Sequence, residues 1–465
     1  MNAPPQAITE QVSDTAGRRY HGHAQAARPA EDPVLTHVGP GTPCGEYWRR
    51  FWFPVAMASE LTDLPLALRI LGEDLVLFRD GSGRYGLLHR QCSHRNTSLE
   101  FGIVEEQGIR CCYHGWHYDT DGTILETPGE PAASKIKDRV VHGAYPAVAY
   151  NGLIFTYMGP TDERSEFPLY DTFALPDVEL LPYSISYPCN WLQVAENTMD
   201  PIHGVFLHAR VTESHFGSTW STMPLFRYGE TAHRITAVKT RRVGDKVWVS
   251  SQETVLPSFS QIGALWEEGT EEKYFTRASL SKWTVPIDDD HCKIVGLRHF
   301  SAVVDPQGLG QRDQIGKETV DFEGQTGGRP YEERQRFPND YEAQVSQGPI
   351  NTHARENLAS HDEGVALLRQ NLRRGIEALA RGERVPQAPR PGGTVPSCVQ
   401  DSVLPIPPQS GEDDWVLLEA VTDAVMDVVF AGEAHDGDDR TALIDTALRK
   451  IKHDPRFATS PAPEA

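Results

Sequence analysis

Long apolar runs are missing from this 465-residue chain. No uninterrupted stretch reaches the roughly 18 residues that a membrane-crossing helix requires. The opening MNAPPQAITEQVSDTAGRRYHGHAQAARPAEDP is polar and proline-rich where a secretion signal would carry an apolar core, so a cytoplasmic protein away from the membrane is expected. Positive charge is scarce as well. The 44 Lys and Arg stand against 65 Asp and Glu, a formal charge of −21, which argues against a surface built for nucleic-acid or lipid phosphate. Cysteine is sparse and odd in number: Cys44, Cys92, Cys111, Cys112, Cys189, Cys292 and Cys398 are scattered, unlike a secreted disulfide framework. Reduced thiols and metal ligands are the expectation. A nucleotide fingerprint is also lacking. Gly39, Gly41 and Gly45 have the wrong spacing for G-x-G-x-x-G and are interrupted by Pro40 and Pro43, so they read as a turn.

What is present is enough apolar material, 39% of residues, for more than one structural unit. Residues 1–33 read as a flexible tail. From about 45 to 160, strand-sized runs alternate with Gly and Asp turns (RDGSGRYGLL, YDTDGTILETPGE), which predicts a small all-β domain within 34–160. PCNWLQVAENTMDPIHGVFLHARV then has helical spacing, and strand-like stretches follow (ITAVKTRRVGDKVWVSSQETV, HCKIVGLRHFSAVV). The expected class is therefore α+β: an N-terminal all-β domain, then an antiparallel-sheet and helix domain over 161–382. A Pro-rich linker over 383–412 and a helical extension over 413–465 complete the reading.

The most informative segment is Cys92-Ser93-His94, sixteen intervening residues, then Cys111-Cys112-Tyr113-His114. Two sulfur and two nitrogen donors suit either tetrahedral zinc or a [2Fe–2S] centre with two histidines on one iron. Zinc sites usually pair Cys with Cys and His with His in short knuckles. Here each loop carries Cys before His and can give one ligand to each of two irons, which favours the cluster. CSHRNTSLEFG and CCYHGWHYDTDG resemble the C-x-H-R-G-x-x-L and C-P-Y-H-G-W loops of Rieske oxygenases. Asn96 stands where that family usually has Gly, and Asn tolerates the left-handed conformation. Cys112 stands where Pro is common and is expected to be a small buried side chain rather than a ligand. Respiratory Rieske proteins carry an extra cysteine in each loop, at places held here by Thr97 and Tyr113, so the low-potential oxygenase type is the closer resemblance.

A cluster alone would make an electron carrier, but Glu196-Asn197-Thr198-Met199-Asp200-Pro201-Ile202-His203-Gly204-Val205-Phe206-Leu207-His208 follows. Asp200 and His203 share a helix face, whereas His208 would point about 140° away from His203 on an ideal α-helix. Pro201 and Gly204 predict a kink, π-bulge or helix end that could bring both imidazoles onto one metal. The segment resembles the oxygenase motif Glu-Asn-x-x-Asp-x-x-His-x4-His, which implies His203 and His208 as iron ligands. A facial triad needs one acid more. Asp340 is chosen because DYEAQVSQGPI resembles D-x-x-x-Q-x-x-x-G-P-I of the phthalate-dioxygenase-like branch, with Glu342, Glu356 and Asp362 as rivals.

The resemblance implies the large (alpha) subunit of an aromatic-ring-hydroxylating oxygenase. Its N-terminal Rieske [2Fe–2S] domain would hold the cluster on Cys92, His94, Cys111 and His114. Its catalytic domain would hold mononuclear Fe(II) on His203, His208 and Asp340. It further implies O2 as co-substrate and hydroxylation or O-demethylation of an aromatic, carboxylated compound. A separate NAD(P)H-dependent flavin and ferredoxin-type reductase would supply electrons. The family assembles as a homotrimer or hexamer in which a carboxylate, here Asp200, links one subunit's cluster histidine to its neighbour's iron histidine. Arg210 is a possible anchor for a substrate carboxylate, although an ordinary ion-paired arginine reads as well. An electron carrier without oxygenase activity and a zinc-stabilised binding module are the alternatives.

Overall fold

The computed structural model describes residues 31–211, 218–263, 265–388, 393–409, 413–435 and 437–457; most of the expected N-terminal tail and the end of the C-terminal extension lie outside these. Two short helices, Pro33–Thr36 and Pro43–Trp48, open the described chain. The second is started by Pro43 at its first position and by the Thr42 hydroxyl, which accepts from Gly45 N.

The N-terminal domain is built from three small antiparallel sheets. One places Leu153–Tyr157 between Trp52–Met57 and Ala147–Tyr150, and its hairpin turns at Asn151-Gly152, with φ of 47° and 75°. Both residues are left-handed, the geometry whose twist matches that of the flanking strands. A second sheet runs in the order Leu66–Ile70, Glu73–Arg79, Tyr85–His89, Ala144–Tyr145. The third is made of four very short strands, Ile103–Val104, Ile109–Arg110, His117–Tyr118 and Ile124–Glu126. Val76, Phe78, Leu88, Leu99, Ile109, Trp116 and Tyr118 form a compact core directly beneath the loops that carry the paired Cys and His residues.

Beyond it, nine antiparallel strands among the described residues form one sheet. The path runs Glu179–Tyr187, Cys292–Phe300, Leu280–Pro286, Phe259–Ile262, Lys246–Val255, Arg234–Val243, Leu225–Glu230. Almost every residue of its central strands is buried, so both faces are covered. The two domains share one core. Trp48 meets Trp191 edge to face at 5.2 Å, and the Leu71-Gly72 turn donates backbone hydrogen bonds to Pro286 O and Ile287 O.

The C-terminal part is woven into this sheet. Gln400–Leu404, inside the segment expected as a linker, is a fully buried strand pairing with Lys246–Val255 and with Lys273–Thr276. Helices Asp414–Ala431 and Gly437–Ile451 then cover the sheet, packing Leu418, Val421, Val425 and Ile444 on Val238, Val247 and Val249. Burying that apolar stripe accounts for why the extension is ordered.

Candidate metal centres and substrate pocket

The two Cys-and-His loops have the same backbone construction. In the first, Cys92 N donates to Thr97 O and Asn96 N donates to Cys92 O; in the second, Cys111 N donates to Trp116 O and Gly115 N donates to Cys111 O. Asn96 and Gly115 occupy equivalent places, both left-handed at φ of 60° and 75°, so the asparagine serves where the companion loop uses glycine. Cys92 and Cys111 are buried and adjacent, and the Tyr118 hydroxyl lies 3.0 Å from Cys92 Sγ. His94 and His114 sit at the exposed end with ring centroids 4.5 Å apart, His94 being stacked on Trp116. Thiols paired inside and imidazoles paired outside form two ends of one site. That fits a two-iron cluster, one iron held by sulfur and the other by nitrogen, better than one tetrahedral ion. Cys112 departs from expectation: it is exposed, because it points away from this pairing.

Behind Ser93, His142 is 2% exposed; its Nδ1 lies 2.7 Å from Ser93 Oγ and its Nε2 lies 3.0 Å from His89 O. Burial pushes its pKa down to about 4, so it stands neutral as a hydrogen-bonding strut under the cluster loop.

The second centre depends on a distorted helix. Asn190 caps Trp191–Ala195 by accepting from Leu192 N, the chain tightens to 3-10 over Glu196–Met199, and Asp200-Pro201 breaks it. Gly204–Val211 then continues as a π-helix. A π-helix bonds residue i to i+5, so the five-residue spacing that an α-helix would splay places His203 and His208 together. Their rings are 5.1 Å apart. Asp340 enters from 132 residues further on, at the first position of helix Asp340–Val345, whose start is fixed by an Asn339–Glu342 capping box. Its Oδ1 lies 3.3 Å from His208 Nε2 and 3.8 Å from His203 Nε2. The three donor atoms all lie within 4.8 Å of one another, a spacing one ion can bridge.

Asp340 is 7% exposed and held from two sides. Asn197 Nδ2 donates to Oδ1 at 3.1 Å, and Gln325 Nε2 donates to Oδ2 at 2.8 Å. Burial alone would push its pKa up, but His208, His203 and Gln325 hold the carboxyl well below the usual carboxylate range. Burial also pushes His203 down, towards the neutral form that ligates metals. His203 Nδ1 is turned to the other side, donating to the Asp200 carbonyl and 3.9 Å from Asp200 Oδ2, which leaves Nε2 facing Asp340. The rival acids are engaged elsewhere: Glu342 with Arg329 and Arg334, Glu356 with Arg369, Asp362 with Ala359 N. The side chain of Arg210 lies outside the described residues.

A cavity of about 90 Å³ opens from the three donors. Its walls come from one face of the large sheet, where residues two apart share a side: Tyr183 and Ile185, Leu280 and Lys282, Lys239 and Gln252 from neighbouring strands. Trp220, Trp266 and Phe322 add aromatic surface. Gln325, Lys239 and Lys282 had no signal in the sequence. They lie on strands or loops without motif, and alternation cannot single out inward residues where every position is buried.

Residues 51–141 match the family model of the Rieske [2Fe-2S] domain. Over 422 residues the chain is 44% identical to the tert-butanol monooxygenase / tert-amyl alcohol desaturase oxygenase subunit of Aquincola tertiaricarbonis, covering 87% of this chain and 89% of that protein. It is 35% identical to the phenoxybenzoate dioxygenase subunit alpha of Ectopseudomonas oleovorans, covering 76% and 86%. Among solved structures, dicamba monooxygenase bound to dicamba shares the fold with a TM-score of 0.56 at 19% identity, over 72% of this chain and 99% of that one.

Proposed function

The chain belongs to the Rieske non-haem iron oxygenases, as an oxygenase (alpha) subunit of the phthalate-dioxygenase-like branch, and from that premise we propose the site assignments and substrate class that follow. It is the oxygenase component of a multicomponent system that uses O2 and a separate reductase, and its cofactors are a Rieske [2Fe–2S] cluster and a mononuclear iron.

Cys92, Cys111, His94 and His114 hold the cluster, and His203, His208 and Asp340 hold the iron. When bound, the cluster supplies single electrons and the iron supplies an O2-binding centre beside the substrate. Two imidazoles and one carboxylate would leave coordination positions open on an iron held there, and His203, His208 and Asp340 all line the pocket. The protein's own contribution is positional. Asn197 and Gln325 aim the Asp340 carboxylate, Asp200 orients the His203 ring through Nδ1, and Trp220, Trp266 and Phe322 keep bulk water from the reacting end.

The substrate is a single-ring aromatic acid or a molecule of smaller size, oxidised by hydroxylation or O-demethylation. The observation that carries this is the small, mostly apolar cavity ending on the three donors. A second reading, a compact branched alcohol, is favoured by the name of the 44% identical relative.

Assembly as a homotrimer, or two stacked trimers, is supported by what one protomer leaves uncovered. His94 and His114 are exposed, with Tyr113 against His114, and Tyr113, Phe101, Ile103 and Val141 of the same domain are each 57% exposed or more. In the ring, Asp200 would join the neighbour's cluster histidine to His203. The reductase is of the NAD(P)H-dependent flavin and ferredoxin type, and the working compartment is the cytoplasm. Among the described residues no helix is long and apolar enough to cross a membrane.

The test is a single turnover. Anaerobically reduced, iron-loaded enzyme is exposed to O2 with benzoates, methoxybenzoates and tertiary alcohols, and products are identified by mass spectrometry. Formaldehyde with a phenol marks demethylation, a hydroxylated ring marks ring oxidation, and a diol or alkene marks the alcohol reading. No oxygenated product from any class would refute the substrate assignment.

A further inference from the structure

One charged side chain of the pocket is left unused by the assignments above. Lys282, in the middle of strand Leu280–Pro286, is 7% exposed and lines the cavity together with His203, His208 and Asp340. Its neighbours across the sheet explain why no side chain meets it. On one side it pairs with Gly296, which has no side chain, and on the other with Ser260, whose hydroxyl is joined to Thr254 Oγ1 at 2.9 Å. Leu280, two residues along on the same face, is apolar. Among the described residues Lys282 therefore has no hydrogen-bond or ion-pair partner, and its nitrogen is not sealed inside the protein but opens on the cavity that the residue lines. Burial works against its charge, and the one group that favours the charge is Asp340, so the ammonium belongs to the metal end of the pocket. Lys239 stands apart from it. The register from Lys282 through Ser260 and Thr254 leads to Ile235, four residues short of Lys239 on its strand. Lys239 donates to Gln252 Oε1 at 2.7 Å, and the charges acting on it are Arg241 and Asp401.

A buried ammonium with no acceptor is costly. Asp340 is not free to serve as one, because its oxygens take Asn197 and Gln325 and its carboxylate faces the two imidazoles as the proposed iron ligand. Iron held there brings further positive charge to the same end of the pocket. Water or a neutral hydroxyl can accept from the ammonium but compensates no charge, whereas an anion does both.

We propose that Lys282 is a specificity-determining residue whose ammonium donates to the carboxylate of a small acid substrate and holds that carboxylate at the Asp340 end of the cavity. The inference rests on the oxygenase reading and narrows it to small carboxylic acids.

The test is equilibrium binding to the cluster- and iron-loaded enzyme without O2, comparing each acid with its neutral isostere: benzoate with benzamide, and pivalate with pivalamide. At least one acid binds, roughly tenfold to a hundredfold more tightly than its amide, the range expected when a charge-assisted hydrogen bond is lost. Lys282→Met removes most of that preference while the visible spectrum of the cluster and the iron content are retained, and Lys282→Arg keeps part of it. Because the acid-to-amide comparison is made first on the unaltered protein, a misfolded variant does not decide the matter. Equal binding of acid and amide, or no binding of either acid, would overturn the inference. So would a preference that survives in Lys282→Met, which would assign the carboxylate to the iron or to another cation. An enzyme that oxidises a neutral compound while failing this test would leave the oxygenase reading standing and remove the role of Lys282.

Discussion

Gln325→Leu isolates the contribution of a single hydrogen bond to the proposed iron site. The Gln325 amide donates to Asp340 Oδ2 at 2.8 Å from a position only 6% exposed, while Asp340 Oδ1 faces the imidazoles. Leucine has nearly the same volume and lacks the donor, so packing is kept and the carboxylate loses the group that fixes its outer oxygen. The other partner affected is the Tyr187 hydroxyl, which reaches Gln325 Oε1 only at 3.4 Å. Loss of such an outer partner typically costs 10- to 100-fold in metal affinity, equivalent to about 1.4–2.8 kcal/mol. The assay is Fe(II) titration of protein that keeps its cluster but has been stripped of mononuclear iron, with acid-labile sulfide measured in parallel. The unaltered protein reaches about three irons for every two sulfides. The variant approaches that ratio only at 10- to 100-fold higher free Fe(II), with sulfide unchanged. Unaltered iron affinity would refute the argument that Gln325 orients the ligand. Loss of sulfide together with iron would show that the substitution acts on the whole fold.

Asp200→Asn is expected to leave both metals in place and to lower product formed per NAD(P)H consumed by at least about tenfold, or about 1.4 kcal/mol on the coupled step; full activity with tight coupling would refute the bridging role. Asn96→Ala removes the short polar side chain that lets asparagine adopt a left-handed turn, at a cost of about 1 kcal/mol, whereas Asn96→Gly is tolerated. Thermal bleaching of the cluster absorbance should therefore come earlier for the alanine variant alone. His142 supplies a pH dependence: its folded pKa, about 4, lies below the unfolded value of 6.5. The unfolded chain takes up the proton first, so stability is complete above about pH 6.5 and is lost as pH falls towards 4, by about 3 kcal/mol in all. The melting temperature of the unaltered protein should fall more steeply between pH 7 and pH 5 than that of His142→Phe, and parallel curves would contradict this.

The proposed cluster ligands could be picked out in the chain because each pair sits in one short loop. Where Cys92 and His94 lie two residues apart, or Cys111 and His114 three apart, local turn geometry settles their relation, and even the role of Asn96 follows from its backbone preference. The broad order of the chain, all-β first and mixed antiparallel sheet with helix after, was equally legible from turn spacing and periodicity. His203 and His208 were legible as a pair, and the need for a helical irregularity follows from their five-residue spacing. That the irregularity is a π-helix running from Gly204 to Val211 depends on packing around it.

Other features were decided only when distant segments met. Asp340 resembled a ligand in sequence, yet its advantage over Glu342, Glu356 and Asp362 lies in which acids find arginine or backbone partners and which one is left facing two imidazoles. Cys112 read as buried and is exposed, because a cysteine's burial depends on which way its loop presents it. The 383–412 segment read as a linker from its prolines, yet Gln400–Leu404 completes the sheet by pairing with residues about 150 positions earlier. The two pocket lysines are the sharpest case. In ITAVKTRRV and LSKWTVP they look like any strand lysine, and only the covering of both sheet faces turns them inward. Covalent spacing determines the chemistry of ligands that share a loop or a helical turn. Burial, charge pairing and the company of residues far along the chain are properties of the packed molecule, and the substrate pocket is made almost entirely of these.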